Sequence, residues 1–190
     1  MEALFTSTAI VALAEIGDKT QLLAILLATR FRRPLPIILG ILVATLANHA
    51  LAALLGASAA AFLDSPVFRY AIGASFIAMA AWTLIPDTFD DDEAPKPRFG
   101  AFLTTLVAFF LVEMGDKTQV ATIALGAQYH DVVAVTAGTT LGMMIANVPA
   151  IFLGHELLKR VDLAKVRLVA AGLFFVIGLW VLAQTAGWFG

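Results

Sequence analysis

A charged heptapeptide occurs twice in this chain, each time inside a long apolar run. Glu15-Ile16-Gly17-Asp18-Lys19-Thr20-Gln21 returns as Glu113-Met114-Gly115-Asp116-Lys117-Thr118-Gln119. An acid or lysine at membrane depth costs about 2.5 to 3.5 kcal/mol on insertion scales. The acids and lysines of the two motifs must therefore face one another, water or a cation.

With 61% hydrophobic and only 14% charged residues, and a mean hydropathy of +0.91, the chain has too little polar surface to close a soluble globule. It reads as an all-α integral membrane protein. The absence of cysteine excludes disulfides and thiolate metal sites. The start, Met1-Glu2-Ala3, lacks a basic region, so the first apolar run reads as retained structure rather than a signal peptide.

Six apolar segments are each long enough to cross a bilayer as a helix: roughly 4–29, 35–58, 66–86, 100–127, 132–155 and 166–188. Arg30-Phe31-Arg32-Arg33-Pro34 closes the first, Asp64-Ser65-Pro66 divides the second from the third, and Tyr129-His130-Asp131 follows the fourth. The one real linker, 87–99, carries Asp90-Asp91-Asp92-Glu93 and Pro95-Lys96-Pro97 and reads as solvated, flexible chain.

The duplication extends beyond the heptapeptide. At a constant offset of 98, Gly40 matches Gly138, Gly56 matches Gly154, Asp64 matches Asp162, Arg69 matches Arg167, Phe76 matches Phe174 and Trp82 matches Trp180. Asn48 and Asn147 match after a shift of one residue. Residues 1–86 and 100–190 thus read as two copies of a three-helix unit. Three is odd, so the second copy enters the membrane in the opposite direction. The expectation is an inverted-topology repeat with a site at the repeat interface near mid-membrane. Outside the motifs, Arg30, Arg32, Arg33, Lys96, Arg98, Lys159, Arg160, Lys165 and Arg167 fall in the loops after segments one, three and five, against Arg69 alone on the other side. By the positive-inside rule those loops are cytoplasmic and both termini lie outside. The short chain without a targeting extension suggests a bacterial plasma membrane.

On an ideal helix Glu15, Asp18 and Lys19 fall within an arc of about 100°, with Gln21 beside Asp18. Thr20 and Thr118 point away, and reach the same site only if the backbone unwinds, which Gly17 and Gly115 would permit. Glu15, Asp18, Glu113 and Asp116 supply hard anionic oxygens. The amide oxygens of Gln21, Gln119, Asn48 and Asn147, with water, would complete a shell suited to Mn²⁺, Ca²⁺ or Mg²⁺. Metal and protons should compete for the same carboxylates, which is the physical basis of antiport. A purely structural account would pair Glu15 with Lys19 and Glu113 with Lys117 at i,i+4, leaving Asp18 and Asp116 uncompensated. His49 reads first as a core histidine and second as a ligand or proton relay; His155 and Glu156 read as interfacial.

The pattern E-x-G-D-K-[TS], present once in each three-helix half, resembles the cation/proton exchanger family that includes Golgi manganese and calcium transporters and bacterial manganese exporters. Both copies match it, and the six-helix plan covers nearly the whole chain. The resemblance implies divalent-cation transport, foremost manganese efflux coupled to proton entry, with Glu15, Asp18, Glu113 and Asp116 as the central acids. In that scheme there is no resident cofactor, and the partners are the transported Mn²⁺ or Ca²⁺, protons and the bilayer. Beside the resemblance, the residues themselves read as Gln21, Gln119, Thr20, Thr118, Asn48 and Asn147 tuning geometry and gating, with Lys19 and Lys117 limiting net charge and trading acidic partners between states. Composition and spacing alone give a symmetric acidic intramembrane site. That site also leaves open an exporter of small organic solutes such as amino acids, a metal-dependent membrane enzyme and a passive cation channel.

Overall fold

The computed structural model describes residues 1–62, 65–86, 99–154, 156 and 162–188. Most of the linker 87–99, Asp64, His155 and the basic residues Lys159 and Arg160 lie outside the described residues. Among the described residues there are eight α-helices and no strand: α1 (Glu2–Glu15), α2 (Lys19–Phe31), α3 (Pro34–Phe62), α4 (Pro66–Thr83), α5 (Gly100–Glu113), α6 (Lys117–Tyr129), α7 (Val132–Leu153) and α8 (Leu163–Thr185). Three of them, α3, α7 and α8, are by themselves long and apolar enough to cross a membrane. The first and fourth apolar segments, read above as helices with a permitted break, are each two helices divided at the heptapeptide.

Local chemistry sets the ends. Ser65 caps α4, accepting from the Phe68 N–H, and Pro66 occupies the first turn, where its missing N–H costs nothing. Asp131 and Asp162 cap α7 and α8 through Ala134 N–H at 2.9 Å and Lys165 N–H at 3.2 Å. Helices α2 and α6 both end on a left-handed residue, Arg32 (φ 52°) and His130 (φ 53°), whose N–H closes onto Ala28 and Gly126 carbonyls. These two positions are again 98 residues apart.

The two halves interleave. Helix α1 packs on α7, α5 and α6 pack on α3, and α4 packs on α8. Small residues let the backbones approach. Gly40 on α3 abuts the Phe102 carbonyl and Thr105 of α5, and its counterpart Gly138 on α7 abuts the Leu4 carbonyl and Ser7 of α1. Phe76 of α4 and Phe174 of α8, both fully buried, face each other with ring centroids 6.3 Å apart. The polarity of the body is reversed relative to a soluble protein. Glu15, Glu113, Asn48, His49 and many threonines are buried, whereas Leu46, Leu51, Val67, Ile145 and Val176 face outward. Such an exterior suits hydrocarbon, and such an interior needs internal partners.

The close α3–α6 approach is the most sensitive of these contacts, because a Cβ on Gly56 would collide with the Ile123 carbonyl oxygen. Gly56→Ala is expected to cost about 1 to 3 kcal/mol by overpacking. Gly172→Ala, where a Cβ meets nothing within 4 Å, should leave the thermal midpoint in detergent unchanged or slightly raised. Equal midpoints for both variants would contradict this packing.

Candidate cation site

The heptapeptides are helix breaks. Helix α1 ends at Glu15, Ile16 turns extended (φ −68°, ψ 113°), Gly17 takes φ 83°, and Asp18 (φ −77°, ψ 165°) opens α2. Met114 (−66°, 117°), Gly115 (79°) and Asp116 (−78°, 167°) repeat this path, no angle differing by more than about 4°. Only glycine adopts the central conformation without strain. Each motif then satisfies its own break. The Gly17 N–H donates to Gln21 Oε1 at 2.9 Å and the Gly115 N–H to Gln119 Oε1 at 2.6 Å. Asp18 and Asp116 cap the new helices through the Thr20 and Thr118 N–H groups, at 3.5 and 3.4 Å. The unwinding brings both threonine hydroxyls round to the acids: Thr20 donates to Glu15 Oε2 at 2.5 Å and Thr118 to Glu113 Oε2 at 2.8 Å.

The i,i+4 pairs of the structural account do not form, because the helix that would align them stops at the glutamate. The lysines cross instead. Lys19 Nζ lies 2.8 Å from Asp116 Oδ1, and Lys117 Nζ lies 3.3 Å from Asp18 Oδ1. The aspartates expected to be uncompensated are therefore the paired acids, and the glutamates carry only threonine hydroxyls. Lys117 is buried with its partner, at 4% side-chain exposure, whereas Lys19 keeps 29%.

Between the breaks, carboxylate oxygens of Glu15, Glu113 and Asp116 lie within 4.8 Å of one another, all three residues buried. Asp18, the fourth acid read from the sequence, stands with Lys117 rather than in that cluster. Glu15 Oε1 and Glu113 Oε1 are buried without a hydrogen-bond partner, as is Asn147 Oδ1. Buried acceptors left in this state call for a cation, a proton or water. Two glutamate carboxyls and an aspartate held by lysine, inside an apolar body, can bind a small dication through oxygen.

The remaining sequence candidates are placed as follows. Gln119 Nε2 donates to Asn48 Oδ1 at 2.5 Å, and Asn48 Nδ2 donates to the Phe110 carbonyl at 3.2 Å. Gln21 Nε2 reaches the Ala146 carbonyl at 2.9 Å, while Asn147 Nδ2 turns to Met143. The two glutamines thus touch residues 48 and 146, positions 98 apart in the sequence, at which offset His49 aligns with Asn147. His49 is fully buried, with Nε2 3.9 Å from Glu113 Oε2 and neither ring nitrogen hydrogen-bonded. Its place beside Asn48, opposite Asn147 at the repeat offset, was the signal available in the sequence.

A family model described as "Divalent cation/proton antiporter GDT1" matches residues 3–91 and again 101–188, one match for each motif-bearing half. The chain belongs to the GDT1 family. A protein of Vibrio cholerae serotype O1 named "Putative manganese exporter" is 51% identical over 180 residues, covering 94% of this chain and 90% of that protein. GDT1-like protein sll0615 of Synechocystis is 28% identical over 191 residues, and GDT1-like protein 3 of Arabidopsis thaliana is 26% identical over 200 residues. These cover 90% and 91% of this chain, and 91% and 68% of the relatives. No solved structure matches the chain. Membership in a GDT1 transporter family accords with a chain whose acids are buried between helices and whose outer surface is apolar.

The crossed pairs give a direct stability test. Lys117→Met leaves Asp18 buried beside a lost partner and should cost about 3 to 5 kcal/mol, whereas Lys19→Met, at a partly exposed lysine, should cost less. Adding Asp18→Asn to Lys117→Met should recover much of the loss in thermal unfolding in detergent. Additive effects of the two substitutions would show that the pair is not formed.

Proposed function

We propose that this protein exports Mn²⁺ from the cytoplasm in exchange for protons, by alternating access to the site between the two breaks. The single observation that carries the proposal is the cluster of Glu15, Glu113 and Asp116 with unpartnered buried oxygens, assembled from both heptapeptides. Family membership supports the cation/proton exchange, and the name of the Vibrio relative supports manganese as the cargo. The cation binds the two glutamates and Asp116, and on its release protons take the same oxygens, so the two never occupy the site together. Asp18, with Lys117, forms the equivalent arm, and the lysines exchange between aspartate and cation-free carboxylates as the site opens to either side. Gln21 and Gln119 hold the breaks open, and Thr20 and Thr118 orient the glutamates. Asn48 and Asn147 sense the opposing motif.

The architecture we propose is six membrane spans, counting α1 with α2 and α5 with α6 as one broken span each, in two inverted three-helix repeats over 1–86 and 100–190 joined by a cytoplasmic linker at 87–99. The matched dihedrals of the two breaks, the reciprocal packing at Gly40 and Gly138 and the offset of 98 support it. The nine-to-one bias of basic residues supports a bacterial inner-membrane orientation with both termini outside. Alternating access is supported by a difference between the equivalent breaks. A Cβ on Gly17 would lie 2.8 Å from the Leu163 side chain at the start of α8, whereas one on Gly115 meets nothing within 4 Å. One break is covered and its twin is not, the asymmetry a site open to one side requires.

In proteoliposomes with a pH-sensitive dye inside, Mn²⁺ movement should drive an opposing proton flux. Asp116→Asn and Glu113→Gln should each reduce both signals to the background of empty vesicles while the protein remains folded and inserted. Metal flux without proton movement, or full flux in these variants, would overturn the proposal.

A further inference from the structure

One donor at the site breaks the symmetry of the duplicated sequence. At the offset of 98, His49 on α3 stands where α7 has Asn147. Both side chains are buried at 1% exposure or less. The two copies thus present a nitrogen-bearing ring on one side and an amide on the other. The imidazole is unusual for a core histidine. A neutral ring carries one donor and one acceptor nitrogen, and in a packed interior both are normally hydrogen-bonded. Here neither is, although Asn48 one residue earlier makes a bond with each of its amide atoms.

The ring is not adrift among apolar groups. Its Nε2 lies 3.9 Å from Oε2 of Glu113, too far for a hydrogen bond. With metal–ligand bonds of about 2.1 to 2.5 Å, two donors on one ion stand roughly 3 to 5 Å apart. The spacing to Glu113 is thus that of two ligands sharing a cation; His49 is not one of the three mutually close acids, Glu15, Glu113 and Asp116, and meets that cluster at its edge through Glu113.

We propose that His49 contributes Nε2 as a ligand to the transported cation and thereby makes the site prefer a transition-metal dication over Ca²⁺ and Mg²⁺. The inference rests on the proposed cation site and adds what carboxylates alone do not supply. Ca²⁺ and Mg²⁺ are hard ions bound almost entirely through oxygen, and a fixed nitrogen in their shell replaces a better donor. Transition-metal dications accept imidazole readily beside carboxylate. An all-oxygen site would have to discriminate by size and rigidity alone, whereas one nitrogen discriminates by chemistry. Asn147, offering an amide oxygen from the equivalent place, completes the shell without that preference.

The test uses Mn²⁺ itself as the probe. Wild-type protein in detergent, loaded with Mn²⁺, should show nitrogen hyperfine coupling to the manganese spin in pulsed electron paramagnetic resonance, and His49→Asn should lose it. In proteoliposomes the same substitution, which installs the residue type of the other repeat, should lower the preference for Mn²⁺ over Ca²⁺ by at least about tenfold, the lower end of what loss of even an outer-shell group costs in metal affinity. His49→Gln serves as the second variant if His49→Asn does not insert. Bound Mn²⁺ with no nitrogen coupling in the wild type would overturn the inference and leave the oxygen site standing. An unchanged Mn²⁺/Ca²⁺ ratio in an inserted, transporting variant would overturn it as well. Wild-type protein that binds no Mn²⁺ would overturn the proposed function and this inference with it.

Discussion

The crossed lysine–aspartate pairs are the constraint on which the rest of the molecule depends. Each motif ends one helix and starts another, which puts a charged lysine and a charged aspartate at a break inside an apolar body without an opposite charge in the same motif to meet them. Burying an ion without compensation is costly enough to exclude the fold. Lys19 with Asp116, and Lys117 with Asp18, resolve this by bringing the two breaks face to face. Once they are so placed, Glu15 and Glu113 converge between them, and the surrounding helices must close around a polar centre. The site and the fold are therefore one solution to one electrostatic problem.

The helices answer that problem with close packing where the breaks meet and apolar surface everywhere else. Gly40 and Gly138 let α3 and α7 approach the first helix of the opposite half, so that neither half can enclose the acids alone. Phe76 and Phe174 seal the contact between α4 and α8. The outward leucines and valines ask for lipid and add nothing to internal cohesion in that solvent. Cohesion comes from the small-residue contacts and the polar network, which a single ion or proton entering the cluster would perturb. A carrier whose stability resides in its binding site is one whose shape can follow occupancy.

Much of this was legible in the sequence, for identifiable reasons. Duplicated acids in apolar runs are so unfavourable that their convergence could be read directly, and Gly17 and Gly115 read as sites of either a backbone break or a close helix contact, of which the structure has the break. The crossed pairing was not legible. The i,i+4 rule assumes a continuous helix, and the same glycines that permit the break invalidate it. That rule leaves Asp18 and Asp116 uncompensated, whereas they are the acids the lysines pair. The amide oxygens of Gln21 and Gln119 were read as ligands, and the structure engages each with the glycine N–H four residues earlier. A side chain's partner across a helix break lies beyond local periodicity.

The central claim is that both heptapeptides build one site in which a dication and protons exclude each other. Calorimetric titration of the detergent-solubilised protein with Mn²⁺, repeated in buffers of different ionisation enthalpy, measures the number of ions bound and the protons released. The account predicts one Mn²⁺ per chain, with proton release on binding, and loss of that single event when an acid of either motif is neutralised. Two independent Mn²⁺ ions per chain, or binding without proton release across the working pH range, would contradict it.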